Sequence, residues 1–158
     1  MNMNMNKSQV IKLNEDEVKN ISSDYIREGR LFESWKINEV IIDDQNAYMD
    51  VSMVSVYPSG SSIEDFHLSI YLAEEMASQL MIIYGHIWAD LSEKRSQVWM
   101  LESHTKSIRP ITKTDNIKIE MVVPRMRKRG DTIFGIGNYR ITDDNDGLIE
   151  LQQKGMLA

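Results

Sequence analysis

The chain is 158 residues long and carries 18 Lys and Arg against 24 Asp and Glu, a formal charge of −6. With 42% hydrophobic and 27% charged residues it has the composition of one globular domain with its own core, and its acidic balance disfavours electrostatic coating of nucleic acid. Its content of 0 Cys excludes disulfides, thiolate metal sites and a cysteine nucleophile, and its 3 His leave little for a His-rich metal site, so no metal is expected.

Residues 1–10, which open on a Met-Asn alternation, read as a disordered tail, and residues 11–158 as a single domain. The opening lacks a basic region followed by an apolar one, so it does not read as a secretory signal. The longest apolar stretch, Met76–Ala89, is interrupted by Ser78, Gln79, Gly85 and His86, which is too short and polar for a membrane span. The cytoplasm is the expected location.

Asn14 is a plausible N-cap for a short amphipathic helix through Ile21, with acids in its first turn. Trp35–Ile42 and Ala47–Val56 alternate as strands about a turn at Asp43–Asn46, which predicts a hairpin. Tyr57–Ser62 reads as a loop. From Leu68 to Leu91 apolar residues recur at helical spacing (Ile70, Ala73, Ala77, Leu80, Tyr84, Ile87, Trp88) and spill onto neighbouring faces, which predicts a long helix surrounded by protein. A polar turn at Ser92–Ser96 follows. Gln97–Leu101, Thr105–Ile108, Ile117–Arg125, Thr132–Thr142 and Leu148–Lys154 then read as strands, with turns at Gly130–Asp131 and Asp143–Gly147. Hairpin, buried helix and antiparallel run together indicate an α+β domain, one long central helix wrapped by a curved antiparallel sheet.

This order resembles the hot-dog fold. Two stretches sharpen the resemblance. Ser107–Ile119 is similar to the strand–turn–strand segment of hot-dog enzymes, with Arg109-Pro110-Ile111 before a turn at Lys113-Thr114-Asp115, although the usual Pro-Gly of that turn is missing. Leu72–Gln79 is similar to the helix of hot-dog hydroxyacyl-carrier dehydratases, matching at Glu75 and Gln79. His67-x-Ser69 followed by Ser78-Gln79-Leu80 also resembles the FcoT-like thioesterase branch, but without the acid expected near Leu72; the His-x-Phe-Pro-Gly loop of the dehydratases is absent too.

The resemblance implies a homodimeric enzyme acting on an acyl thioester of coenzyme A or acyl carrier protein, by hydrolysis or by hydration, dehydration or addition at an enoyl thioester. It needs no cofactor beyond the coenzyme A or phosphopantetheine of the substrate. A non-catalytic acyl-thioester or small-ligand binding module on the same fold is the alternative. An acid on a mostly apolar helix is costly unless paired or exposed, so Glu75 and Glu74 are the candidate carboxylates: Glu75 as general base, Glu74 toward the substrate, or both on a solvated stripe. Gln79, one turn from Glu75, and His67, before the helix, would position the substrate. Free N–H groups at the helix start would receive the carbonyl oxygen. Ser69 there is a candidate substrate contact and reads more readily as an N-cap than as a nucleophile. Arg125, Arg127, Lys128 and Arg129 concentrate positive charge at a hairpin tip that could hold coenzyme phosphates or an acidic carrier protein. The methionines suit an adaptable acyl pocket and equally an ordinary core. Neither nucleic acid nor membrane is an expected partner.

Overall fold

A computed structural model describes residues 10–21, 33–56, 66–94 and 97–158. The expected tail through residue 9, the loop at Tyr57–Ser62 and the end of the Ser92–Ser96 turn lie outside the described residues. The chain divides into two units, Met1–Leu31 and Phe32–Ala158. The first contains α1 (Glu15–Ile21), which is exposed throughout. Asn14 and Glu17 cap it reciprocally: Asn14 Oδ1 accepts from Glu17 N at 2.9 Å and Glu17 Oε2 from Asn14 N at 2.9 Å.

The second unit contains β1 (Ser34–Asp43), β2 (Asn46–Ser55), α2 (Ile70–Trp88), β3 (Val98–Arg109), β4 (Ile117–Arg129), β5 (Thr132–Thr142) and β6 (Leu148–Leu157). The six strands form one curved antiparallel sheet in the order β1-β2-β4-β5-β6-β3, so β1 and β3 are its edges. Alternation decides which side chains meet α2. Met49 and Val51 of β2, Ile117, Ile119 and Met121 of β4, Tyr139 and Ile141 of β5 and Ile149 and Leu151 of β6 are buried on the inner face. Against them pack Leu72, Ala73, Met76, Ala77, Leu80 and Tyr84 of α2. Each such Leu, Ile or Met removed from water contributes about 1.5–3 kcal/mol.

Two expectations change. The helix is covered on its sheet side, but Ile70, Tyr71, Ile87 and Trp88 are exposed on this single chain, so it is not surrounded. The segments 97–101 and 105–108 are one strand, β3, running through polar Glu102-Ser103-His104. None of the β3 residues is buried, so the strand tolerates such a run, and two register shifts, at Met100/Glu102 and Ser107/Arg109, bend it. β4 likewise extends past Arg125 to Arg129 because its backbone pairs residue for residue with β5 across the Gly130 turn.

One connection ties the sheet's ends together. Leu68 N donates to Ile111 O at 2.9 Å and Met53 N to Thr114 O at 2.7 Å, anchoring the 110–116 segment to the approach to α2 and to β2. The Asp143 carboxylate accepts from the N–H groups of Thr112, Lys113, Asn145 and Gly147 at 2.8–3.0 Å. A Cβ on Gly147 would come within 2.8 Å of Asp143 Oδ1, Ile111 Cγ1 and Pro110 O, which explains a glycine there. No helix among the described residues is long and apolar enough to cross a membrane.

Candidate active site

The helix begins where Ser69, in extended conformation, turns its hydroxyl back to accept from Leu72 N at 3.2 Å. Ser69 therefore acts as a cap, and His67 beside it is exposed. Glu74 and Glu75 follow about one turn later and diverge, because consecutive helical residues do not share a face. Glu75 is exposed and its Oε2 accepts from the Trp35 indole N–H of β1 at 3.3 Å. Gln79, one turn further, is half-buried. Glu74 instead faces the other edge of the sheet. Its Oε1 accepts from Ser103 Oγ at 3.0 Å and Thr105 Oγ1 at 2.8 Å, alternate residues of β3.

A buried amide extends this cluster. Gln153 of β6, 3% exposed, donates from Nε2 to the Glu74 backbone oxygen at 3.0 Å. Ser78 Oγ donates to the same oxygen at 2.7 Å and lies 3.5 Å from Gln153 Oε1. Glu74, Ser78, Ser103, Thr105 and Gln153 thus form one connected group between α2 and the β6–β3 side of the sheet. Donors fix the carboxylate's orientation while leaving it half-exposed, the arrangement that lets a carboxylate accept a proton from a bound molecule.

Ser78 and Gln153 also line one end of a slot of about 50 Å³ between α2 and the sheet, whose other walls include Met81, Ile82, Gly85, Val98, Trp99, Met100, Met126, Gly135, Gly155 and Met156. It is apolar and rich in unbranched thioethers, which repack more freely than branched side chains. On the sheet's outer side, Arg125, Arg127 and Arg129 join Lys154 of β6 around a recess of about 260 Å³ floored by Leu101, Phe134 and Ile136. No carboxylate among the described residues lines it, so four cations converge on an open concavity suited to an anion. Lys128 falls on the opposite side of β4 by alternation and is not part of it. Recess and slot share Gly135 and Lys154, and the adjacent residues Leu101 and Met100 of the β3 bulge line one and the other.

Tyr139, 2% exposed on the inner face of β5, has a hydroxyl with no hydrogen-bond partner among the described residues, and burial raises its phenol well above the usual range. No group of His, Asp or Glu among the described residues could hold a metal ion.

The sequence points to Glu75 as base and to Glu74 and the basic run as substrate contacts; the structure sets Glu74 apart from Glu75, groups it with Ser78, Ser103, Thr105 and Gln153, and places Lys154 beside Arg125, Arg127 and Arg129. The available signal was alternation: Gln153 occupies an inward position between Leu151 and Gly155, where an apolar residue is the norm.

No family model matches the sequence, and no curated protein sequence matches it. Its fold does match solved structures. The dehydratase heterocomplex ApeI:P from Xenorhabdus doucetiae superposes with a TM-score of 0.57 at 16% identity, covering 77% of this chain and 82% of that one. A candidate thioesterase from Lactococcus lactis gives 0.54 at 11% identity, covering 79% and 92%. One from Shewanella oneidensis gives 0.53 at 7% identity, covering 78% and 82%. The chain has the hot-dog fold, a long helix against a curved six-stranded antiparallel sheet, as its element order predicts.

Proposed function

We propose that this chain is an enzyme acting on acyl thioesters, with Glu74 as the general base. The observation that carries the reading is the continuity of polar cluster and slot: Ser78 and Gln153 line the apolar slot and bond the Glu74 backbone oxygen. An acyl chain in the slot would present its thioester end toward the Glu74 carboxylate. The dehydratase and the candidate thioesterases among the structural relatives support this choice of chemistry. Glu75 is the weaker candidate for the base, since it is exposed toward β1 and engaged by Trp35.

In hydrolysis, Glu74 takes a proton from water as the water oxygen bonds to the thioester carbon. The carbon–sulfur bond then breaks, and the departing sulfur receives the proton as a thiol, leaving a carboxylic acid. The free N–H groups of the first turn of α2, about 6 Å along the axis from Glu74, are the donors for the carbonyl oxygen. The basic recess would hold the phosphates of coenzyme A or the acidic face of a carrier protein. A second copy pairing along the open β3 edge, where Trp99, Met100 and Leu101 are exposed, would complete a homodimer.

The test is turnover of a panel of short- to long-chain acyl-coenzyme A and β-hydroxyacyl-coenzyme A thioesters, with products identified by mass spectrometry. Glu74→Gln is expected to lower kcat by about 10²–10⁴ with little change in melting temperature, and Glu75→Gln by no more than a few-fold. Full activity in Glu74→Gln would remove the base. Tight binding of these thioesters by the wild type without any turnover would favour the non-catalytic binding module.

A further inference from the structure

The slot of about 50 Å³ holds only a few waters, far less than the several hundred Å³ of ordinary small-molecule sites. What fills the remaining space is specific. Gly135 and Gly155 are cross-strand partners on the inner face, and Gly137 follows two residues along β5. Met81 lies over all three. Its Sδ sits 3.3 Å from where a Cβ on Gly135 would be, its methyl 2.7 Å from that of Gly137, and its Cγ 3.9 Å from that of Gly155. Met126 Sδ lies closer still to the Gly135 position, at 2.7 Å, so the trough is filled by two unbranched side chains, Met126 over Gly135 and Met81 over all three glycines. The Tyr139 ring closes it, 2.9 Å from the same Gly137 position, and carries the buried hydroxyl without a partner among the described residues. Such a group is unfavourable unless something brings it a hydrogen bond.

We propose that Met81 is a displaceable plug, and that the glycine-floored trough beneath it, closed by Tyr139, is a specificity pocket for acyl chains bearing a hydroxyl or carbonyl oxygen. The ligand swings Met81 aside, takes its place over Gly137 beside Met126, and pairs its oxygen with the Tyr139 hydroxyl. Unsubstituted chains fill the trough but leave that hydroxyl unpaired. The inference rests on the acyl-thioester reading above.

Binding of non-hydrolysable amide analogues of acyl-pantetheine tests it, by calorimetry, with decanoyl, β-hydroxydecanoyl and ω-hydroxydecanoyl chains. The wild type is expected to prefer one of the hydroxylated chains over the plain one by about 10-fold, and the position of the favoured hydroxyl reports where Tyr139 meets the chain. Tyr139→Phe is expected to abolish the preference and to melt at or above the wild-type temperature. Met81→Ala is expected to tighten all chains, and the Met81 methyl resonance to shift whenever one binds. Equal binding of the three chains by the wild type, a preference that survives Tyr139→Phe, or a Met81 methyl unmoved by a bound chain overturns this proposal alone. No binding of any chain overturns it together with the acyl-thioester reading.

Discussion

Replacing Asp143 by Asn isolates the connection that closes the sheet's far end. Oδ2 accepts from Thr112 N at 2.8 Å and Lys113 N at 3.0 Å, and Oδ1 from Asn145 N at 2.9 Å and Gly147 N at 2.8 Å. An asparagine keeps one oxygen for one pair of donors and turns an NH₂ against the other pair. Hydrogen bonds to charged groups contribute about 1.5–3 kcal/mol each, and loss of two would approach twice that. Asp143 is half-buried, however, and water recovers part of the loss, so the expected cost is about 2–3 kcal/mol. For a domain of this size that lowers Tm by roughly 5–10 °C. Urea denaturation of both proteins at neutral pH measures it. Burial alone would raise the Asp143 pKa, but the N–H groups of Gly147, Lys113, Thr112 and Asn145 hold it below its ordinary value of 3.8. A depressed folded-state pKa means stability that is complete above the unfolded value and is lost as pH falls through the folded one. The gap between wild type and Asp143→Asn should therefore be constant down to about pH 4 and narrow below it. A gap under about 0.5 kcal/mol at neutral pH, or one that does not narrow in acid, would refute the reasoning.

Two further outcomes are expected. Arg125→Ala combined with Arg127→Ala should raise KM for acyl-coenzyme A about 10-fold or more at low salt while leaving acyl-pantetheine, which lacks the phosphates, within about 2-fold. Equal effects on both substrates would detach the recess from the coenzyme. Sedimentation equilibrium at micromolar concentration should return a dimer; a monomer throughout would remove the β3 edge as its interface.

The helix and most strands were legible for a simple reason. α2 falls within the expected Leu68–Leu91 because its inward residues recur every three to four positions, and β2 and β5 alternate cleanly. β3 was not, because an edge strand with no buried residue lacks a continuous apolar pattern, so Glu102–His104 read as a break. The site was legible only in its ingredients. Two adjacent acids on a helix are equivalent in a one-dimensional reading, and only the sheet's edges distinguish them: Trp35 of β1 stands beside Glu75, Ser103 and Thr105 of β3 beside Glu74.

The local content of the chain — a helical period in one segment, a period of two in others, glycine or asparagine-rich turns between — was set by residues acting on their own neighbourhood, and with it the α+β class and the hot-dog element order. The same holds for the exclusion of thiol chemistry. Tertiary structure decided what depends on residues far apart in the chain. Strand register brought Gln153 under Ser78 and Glu74 and set Lys154 beside three arginines of β4. Pairing of β5 with β6 aligned Gly135 with Gly155 and left Met81 and Met126 to fill the space above them. A single-residue slip of β6 would have exchanged the faces of Gln153 and Lys154, which is why no local pattern could assign them.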